Sequence, residues 1–544
     1  MTEDWSLEAT GHGIDAVSFR GERVATRVFF SVRDLIWGSP RVHLRYRGDL
    51  ADPRGLSFEG SVDDYPLELR GSVRAEGDEL RFAFTVRALS DVQVTRAGPC
   101  ILSDRSQLAP GFLAAGPDGA HEVMLADRIV IDRIATGFDR LELALSGCRV
   151  RVAFSGDLFE MEDQRNWGDA TFKSYCPPLA EPQPIALRPG DSREYAITFT
   201  AFPTAEGMNE MRPVATSAAR ELAFGQEHHE MPRLGLLHPG GELGAETLGV
   251  LRQIQPDYLH LLADLGSPTW REELEIDLAA AGELGTDAVI TVDTIADEDA
   301  LGLLAKVVAG HASTVLLFDR GGSTTSDELA STAAFAGTGI RVGGGTRSNF
   351  ASLNAAGHVP SELEVVAVPI AVASHNDDRR ALASSINSFA TIVHDTRIIS
   401  GDRELLLGPV GFRPTFDSWG PPDRVRNSRG DWMSMSRRDG TPFAKAWMVA
   451  AVAALAGCDA PRVTIGSTAS AHDLLDAFRA LAVLRGRLVQ RVDAGEGIVG
   501  LRSDDELVLG VMTDDSARVT YRGRVLSLAS PRVYSDSLDG PSIA

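Results

Sequence analysis

Between residues 233 and 466 the sequence alternates short apolar strand patterns with longer helical ones, and this alternation constrains the fold more than any other feature. The eight strand patterns are RLGLLH (233–238), YLHLLAD (258–264), DAVITVD (287–293), TVLLFD (314–319), GIRVGGG (339–345), EVVAVPI (364–370), ELLLGPVGF (404–412) and RVTIG (462–466). The segments between them, such as EELEIDLAAAGELG and FAKAWMVAAVAALAG, carry apolar residues at spacings of three and four. Eight strands with helical crossovers predict a closed (β/α)8 barrel of the TIM type rather than a doubly wound sheet.

The sequence on both sides of this region has the pattern of β-strands without intervening helices. Up to about residue 202 it consists of strands with a period near two, such as ATRVFFSVRD, ELRFAFTVRAL and REYAITFTAF, separated by Gly, Asp and Pro turns. After Leu484 the strand patterns RLVQRVDA, GIVGLRS and ELVLGVMT return. We therefore predict a multidomain chain with an N-terminal β-sandwich (1–204), a central (β/α)8 barrel (205–483) and a small C-terminal β-domain (484–544).

Composition and charge narrow the function classes. The net charge is −23 over 544 residues, spread along the whole chain, which disfavours binding to nucleic acid or to anionic membranes. No apolar run reaches about 18 residues, and the N-terminus lacks the features of a signal peptide. Four scattered cysteines show no metal or redox spacing, which suits a reducing compartment. We expect a cytoplasmic protein without a cofactor that binds a small molecule; a homo-oligomer stays open.

Candidate site residues of the barrel lie where its strands end, since loops at the carboxyl ends of the strands carry the chemistry of this fold. They are His238, Asp264, Asp293 and Asp319 at the ends of strands 1 to 4, the run His375–Asp378 after strand 6 and Arg413 after strand 7. Strand 5 leads into GGGTRSN, where glycines allow close approach and Arg347 and Asn349 offer donors. Each aspartate has an alternative role as a helix cap, and His260 inside strand 2 has one as a buried core histidine.

A second candidate is the segment FEMEDQRNWGDATFKSY (159–175), which is far more polar than a plain sandwich strand. Its polar set comprises Glu160, Glu162, Asp163, Arg165, Asn166, Trp167, Asp169 and Lys173. The alternative is a charged edge strand with Trp167 half buried. We interpret the segment as a wall at the barrel mouth, with residues 165–169 directed toward the strand ends.

The sequence disfavours two kinds of site, a metal site and the carboxylate pair of a retaining glycosidase. His238, His260, Asp293 and Asp319 include metal-binding residue types, but the chain has no H-x-H pair on a strand and no HExxH helix, so no metal site is predicted. A retaining glycosidase needs two neighbouring carboxylic acids. At the two places where such barrels usually carry these glutamates, the sequence is LLFDRGG and LLLGPVGFRP, which contain no glutamate. A retaining glycosidase is therefore disfavoured.

Several segments together resemble the D-apionate lactonase family. They are SVRDLIW (31–37), FEMEDQRNWGDATFKSYCPPL (159–179), VGGGTRSNFASLN (342–354), the turn at 375–378, GPVGFRP (408–414) and RRDGTPFAKAW (437–447). The resemblance implies a β-sandwich, a glycosidase-like barrel and a C-terminal β-domain. It also implies hydrolysis of the five-membered lactone of the branched sugar acid D-apionate, with a related sugar-acid lactone as another option.

Lactone opening requires an activated water, a group that stabilises the oxyanion and groups that bind the hydroxyls of the substrate. We expect Asp319 or Asp264 to act as general base, together with His375. Cationic candidates for the oxyanion and the product carboxylate are Arg165, Lys173 and Arg413. Trp167 can stack on the sugar ring, and the remaining substrate-binding candidates are Glu162, Asn166, Asp169, His238 and Asp293.

Two other function classes stay open. One is an inverting glycoside hydrolase that uses Glu162 or Asp163 together with a barrel aspartate. The other is a non-catalytic carbohydrate-binding protein, since a fold does not by itself fix a function.

Overall fold

The computed structural model describes residues 4–50, 52, 55–203, 219–293, 298–319, 321–324, 328–416, 440–495, 497–513, 516–522 and 524–537. The chain forms two compact units, the first comprising Met1–Gln164 and Thr171–Thr216 and the second Arg165–Ala170 and Ser217–Ala544. The predicted domain boundary between residues 204 and 205 lies outside the described residues. Part of the polar segment 159–175 therefore belongs to the same unit as residues 217–544.

The first unit consists almost entirely of antiparallel strands. In chain order they are β1 (Trp5–Thr10), β2 (Gly13–Phe19), β3 (Glu22–Arg33), β4 (Val42–Arg47), β5 (Leu56–Val62), β6 (Tyr65–Glu76), β7 (Glu79–Ala88), β8 (Val92–Val94), β9 (Arg96–Ser103), β10 (Gly111–Gly116), β11 (Gly119–Met124), β12 (Ala135–Phe138), β13 (Arg140–Ala144), β14 (Cys148–Ser155), β15 (Phe159–Asp163), β16 (Phe172–Tyr175), β17 (Ile185–Leu187) and β18 (Ser192–Pro203). A single helical turn, α1 (Arg105–Leu108), lies after β9.

These strands form two large sheets with an apolar core. One sheet has seven strands in the order β1-β2-β3-β9-β16-β15-β12, and the other has nine in the order β11-β10-β13-β14-β18-β7-β6-β5-β4. In β14 the residues Val150, Val152 and Phe154 are buried in the core, while Arg149 and Arg151, which alternate with them, are exposed. This period of two is what a sandwich strand requires. The predicted β-sandwich is confirmed.

The strands of the polar segment lie inside the seven-stranded sheet. β16 runs between β9 and β15, and β15 runs between β16 and β12. Glu162 stands opposite Lys173 across the strand pair, and the two form an ion pair. Because both strands have neighbours on both sides, the interpretation as a charged edge strand is wrong.

The second unit contains the barrel. Three short strands, β19 (Arg220–Glu221), β20 (Ala223–Phe224) and β21 (His229–Glu230), precede it. The barrel strands are β22 (Arg233–Leu237), β23 (Tyr258–Asp264), β24 (Asp287–Asp293), β25 (Ala312–Phe318), β26 (Arg341–Gly345), β27 (Val365–Ala371), β28 (Glu404–Gly411) and β29 (Arg462–Ser467). They are parallel and close into a barrel of eight strands, as predicted from the sequence.

Helices surround the barrel and bury its apolar strands from outside. They are α2 (Ala245–Ile254), α3 (Trp270–Leu284), α4 (Glu298–Val308), α5 (Phe350–Ala356), α6 (Arg379–Ser385), α7 (Phe389–Ser400), α8 (Pro442–Ala456) and α9 (Ala471–Ala482), with 3-10 turns at Glu328–Phe335, Ile386–Ser388 and Thr468–Ser470. No described helix is both long enough and apolar enough to cross a membrane.

The C-terminal strands complete the second unit. They are β30 (Leu488–Asp493), β31 (Ile498–Arg502), β32 (Glu506–Val511), β33 (Ala517–Tyr521), β34 (Arg524–Leu528) and β35 (Arg532–Ser537). Strand β19 pairs with β33, and β20 and β21 pair with β30, so residues 220–230 belong to the C-terminal sheets. Helix α8 contacts β30, β31, β32 and β35 as well as barrel elements. It is therefore buried almost all round, which explains its nearly uniform apolar sequence.

Candidate active site

Most of the predicted site residues of the barrel lie at one rim, because the carboxyl ends of parallel strands meet there. They are Asp264 and Asp293, which end β23 and β24, His238 and Asp319, which directly follow β22 and β25, and Arg413 and His375, which follow β28 and β27.

Asp264 and Asp319, the two predicted general bases, hold turns of their own loops. Asp264 Oδ1 accepts a hydrogen bond of 2.9 Å from the backbone N–H of Gly266. Asp319 Oδ1 accepts one of 2.9 Å from the backbone N–H of Ser323. Such side-chain to backbone bonds are typical of aspartate in turns. The role of these two carboxylates as general base stays a prediction.

Asp293 forms a buried ion pair with Arg347, whose Nη1 donates to Asp293 Oδ1. The guanidinium of Arg347 also lies 4.6 Å from the ring centroid of Phe416, in a cation–π contact. The sequence had suggested Arg347 as a donor, but not its partner. The pair joins the end of β24 to the loop after β26 and fixes a guanidinium at the rim.

His238 is buried in a hydrogen-bonded cluster. Its Nδ1 is 2.9 Å from the hydroxyl of Thr468, and its Nε2 is 3.1 Å from the carbonyl oxygen of Gly241 and 3.5 Å from Asp277 Oδ1. Asp277 is 0% exposed and accepts a bond of 2.8 Å from the Gly241 N–H. His238 therefore ties the first barrel loop to helix α3 and to the turn after β29.

The segment 165–170 brings Asp169 to His375. Asp169 Oδ2 lies 2.7 Å from His375 Nδ1, and the carboxylate is nearly buried. The ring of Trp167 meets the imidazole edge-on, with centroids 5.9 Å apart. A carboxylate bonded to Nδ1–H holds the proton on Nδ1 and makes Nε2 the basic nitrogen. This is the arrangement of an oriented general base.

Three further contacts fix this segment within the second unit. Asn354 of α5 donates to Asn166 Oδ1 at 3.0 Å, and the Ser388 hydroxyl donates to the Gly168 carbonyl at 3.1 Å. Gly168 has a φ of +84°, and a Cβ there would lie 2.9 Å from the carbonyl oxygen of Ala371, the last residue of β27. The segment therefore packs directly on the rim beside β27.

The glycines of β26 allow neighbouring side chains of the barrel unit to pack closely against this strand. A Cβ on Gly343 would lie 2.6 Å from a methyl carbon of Leu316, and one on Gly344 would overlap the side chain of Thr324. The Thr324 hydroxyl instead accepts a bond of 3.0 Å from the Gly345 N–H. The sequence allowed either a substrate or a loop to approach these glycines; the approaching group is the loop after β25.

Other predicted binding residues have different surroundings. Glu162 and Lys173 belong to the first unit and pair with each other; burial lowers the pKa of Lys173, and Glu162 opposes that effect. Asp163, also in that unit, accepts a bond of 3.1 Å from the Val130 N–H. In the second unit Arg165 is buried, while Arg413 is exposed and lines a small cavity.

His260 is a hydrogen-bonded core histidine inside the barrel. Its two ring nitrogens lie 3.0 Å from the hydroxyl of Thr464 and 2.9 Å from that of Thr291, and the residue is 1% exposed. Burial, reinforced by the charges of Arg347 and Arg462, lowers its pKa to about 3. The imidazole is therefore neutral at neutral pH, which agrees with the core interpretation that the sequence left open.

The lowered pKa of His260 predicts an acid-sensitive fold. The unfolded chain binds a proton at this residue below about pH 6.5 whereas the folded chain does not, so stability falls by about 1.4 kcal/mol per pH unit as the pH drops from there. We expect urea unfolding at about pH 7.5 and about pH 5 to show a loss of about 2 kcal/mol that His260→Gln lacks. An equal pH dependence in both proteins would contradict a neutral buried imidazole.

Among the described residues, no group of three or more His, Cys, Asp or Glu side chains lies close enough together to hold a metal ion. The arrangement at the rim instead combines an oriented histidine, a fixed guanidinium and a half-buried indole.

Comparison with known proteins identifies the family. The N-terminal domain model of D-apionate lactonase matches residues 2–204, and the TIM barrel domain model of D-apionate lactonase matches residues 235–488. The chain belongs to the D-apionate lactonase family. A D-apionate lactonase from Brucella anthropi is 23% identical over 486 residues, which are 80% of this chain and 76% of that protein. The resemblance inferred from the sequence motifs is confirmed.

Solved structures are more distant from this member of the D-apionate lactonase family. A β-arabinopyranosidase aligns over 98% of this chain and 96% of its own, with 10% identity and a TM-score of 0.30. A GH51 arabinofuranosidase from Xanthomonas axonopodis pv. citri covers 55% of this chain and 87% of its own, with 7% identity and a TM-score of 0.37.

Proposed function

We propose that this protein hydrolyses the ring ester of a sugar-acid lactone, with D-apionolactone as substrate and D-apionate as product. The observation that carries the proposal is the match of both D-apionate lactonase domain models to a chain whose barrel rim has a carboxylate-oriented histidine. The substrate is a small molecule, and the strongly acidic chain disfavours polyanionic partners. A cytoplasmic location is part of the same proposal.

His375 is the proposed general base and Asp169 its positioning residue. Because Nδ1–H donates to Asp169, Nε2 accepts a proton from water as the water oxygen attacks the lactone carbonyl. The tetrahedral intermediate then expels the ring oxygen, and the proton on Nε2 passes to that oxygen. The product is an open hydroxy acid, which loses one proton to solvent at neutral pH.

Arg347 is the proposed stabiliser of the oxyanion and of the product carboxylate. Its guanidinium is held by Asp293 and by the ring of Phe416, so little reorganisation is needed when negative charge develops. Arg165 and Arg413 remain candidates for binding the product carboxylate. Trp167 remains a candidate for stacking on the sugar ring. Lys173 lies in the first unit, where its ammonium group pairs with Glu162.

The inverting glycoside hydrolase is less supported than the lactonase. Its proposed acids, Glu162 and Asp163, pair with Lys173 and with the Val130 N–H within the first unit. Both carboxylates act as acceptors in these contacts, whereas a general acid must donate a proton to the leaving group.

A panel of lactones tests the proposed function. In a pH-stat we expect D-apionolactone to give the fastest saturable release of acid, other five-membered aldonolactones to react more slowly, and an apiosyl glycoside to release no reducing sugar. Parallel runs with a chelator test whether the rate depends on a metal. Binding of D-apionate without turnover of any lactone would support the non-catalytic alternative instead.

A further inference from the structure

Asn349 occupies the N-cap position of α5 without capping the helix. Its backbone is extended, with φ −156° and ψ 172°, and its side chain makes no hydrogen bond to the first turn. Asparagine is favoured at this position because its side-chain oxygen can accept such a bond. Here the side chain is turned elsewhere, so helix stability does not explain its orientation.

The amide of Asn349 is buried and only partly satisfied. Its Nδ2 donates to the Ser348 hydroxyl at 3.1 Å, while Oδ1 has no hydrogen-bond partner among the residues that the structure describes. The residue is 9% exposed. If the amide were turned by 180°, the nitrogen would take the place without a partner, so either orientation leaves one polar atom unsatisfied. Buried polar atoms normally find partners because leaving them unpaired costs free energy.

The position of Asn349 links it to the proposed site. Two residues earlier, Arg347 forms the ion pair with Asp293 at the rim. Five residues later, Asn354 donates to Asn166 in the segment that carries Asp169. Asn349 thus lies in the loop between the fixed guanidinium and the helix that supports the oriented histidine.

We propose that the side-chain amide of Asn349 binds a hydroxyl group of the lactone ring and selects hydroxylated lactones over unsubstituted ones. The inference rests on the proposed function. A hydroxyl can both donate to Oδ1 and accept from Nδ2, so it satisfies the unpaired atom in either amide orientation. A site built to bond a hydroxyl discriminates strongly against an analogue without one, because its buried polar atom then stays unpaired.

The test compares substrates in Asn349→Ala and wild type. For D-apionolactone we expect kcat/KM to fall about tenfold to a hundredfold in the variant, the effect of one lost buried hydrogen bond. For γ-butyrolactone, which has no hydroxyl, we expect kcat/KM to change less than about twofold. Asn349→Asp retains acceptor oxygens and should recover part of the loss. Equal losses on both lactones, or no loss on either, would overturn the proposal.

Thermal unfolding separates binding from a structural role. Asn349→Ala removes the unsatisfied atom and also the hydrogen bond to Ser348, so these opposing effects should leave its melting temperature without ligand within about 3 °C of that of wild type. Saturating D-apionate should raise the melting temperature of wild type more than that of the variant. A larger fall in melting temperature without ligand, or equal shifts with ligand, would overturn the proposal. If the wild type hydrolysed no lactone, the proposed function itself would be wrong. If the wild type hydrolysed lactones but the outcomes above contradicted the role of Asn349, only that role would be wrong.

Discussion

Replacing His375 by glutamine is expected to lower kcat for lactone hydrolysis by about 10²- to 10⁴-fold, the usual contribution of a positioned general base. Glutamine can still donate to Asp169 and is close in size, so the fold should survive. Initial rates together with the melting temperature measure both effects.

Asp169→Asn provides the matched positioning variant. Without the carboxylate, the proton is no longer held on Nδ1, so kcat should fall while KM changes little.

The variants Asp264→Asn and Asp319→Asn should retain most of the activity. Each of these carboxylates accepts a hydrogen bond from a backbone N–H within its own turn, from Gly266 and from Ser323 respectively. Full activity in His375→Gln with loss of activity in Asp319→Asn would assign the role of base to Asp319.

Replacing Glu404 by alanine is expected to destabilise the barrel unit by about 3–5 kcal/mol, since it leaves Arg462 as an uncompensated buried charge. Glu404 pairs with both Arg462 and Arg341, and Arg462 is 3% exposed. Burial alone raises the pKa of Glu404, but the hydrogen bond from Arg341 and the charge of Arg462 lower it overall. The pair is therefore intact at neutral pH, and its contribution is lost as the pH falls below the ordinary carboxyl range.

Urea unfolding near neutral pH measures this effect, and Glu364→Gln is the control. Glu364 also approaches Arg341, at 3.8 Å, but both side chains of that pair are exposed. Its loss should cost less than about 1 kcal/mol. The double variant Glu404→Ala/Arg462→Met should recover part of the stability because it removes both charges. Equal effects of the Glu404 and Glu364 variants would contradict a buried, coupled pair at the base of the barrel.

The barrel could be predicted because its strands are buried on both faces. A parallel strand such as DAVITVD reads as an uninterrupted apolar run, and the predicted range 287–293 is the observed one. The position of the polar segment was harder to predict. Its charges were compatible with an edge strand as well as with a wall at the barrel mouth, because the sequence does not reveal which strands lie beside it.

The candidate site could be predicted residue by residue but not as a set of contacts. Asp169 and His375 were both selected, yet they are 206 residues apart in sequence, and neither local pattern contains the other. Asp264 and Asp319 were ambiguous because a strand-end aspartate serves equally as a base or as a turn acceptor. Asp277 was missed; the one signal was an acidic residue among the buried positions of α3.

The most direct test of the central claim is the initial rate of acid release from D-apionolactone by wild type, Asp169→Asn and His375→Gln in one pH-stat experiment. The account predicts saturable turnover by wild type and a rate lower by about 10²-fold or more in His375→Gln at unchanged melting temperature. Acid release by wild type no faster than the spontaneous rate, or equal rates in all three proteins, would contradict it.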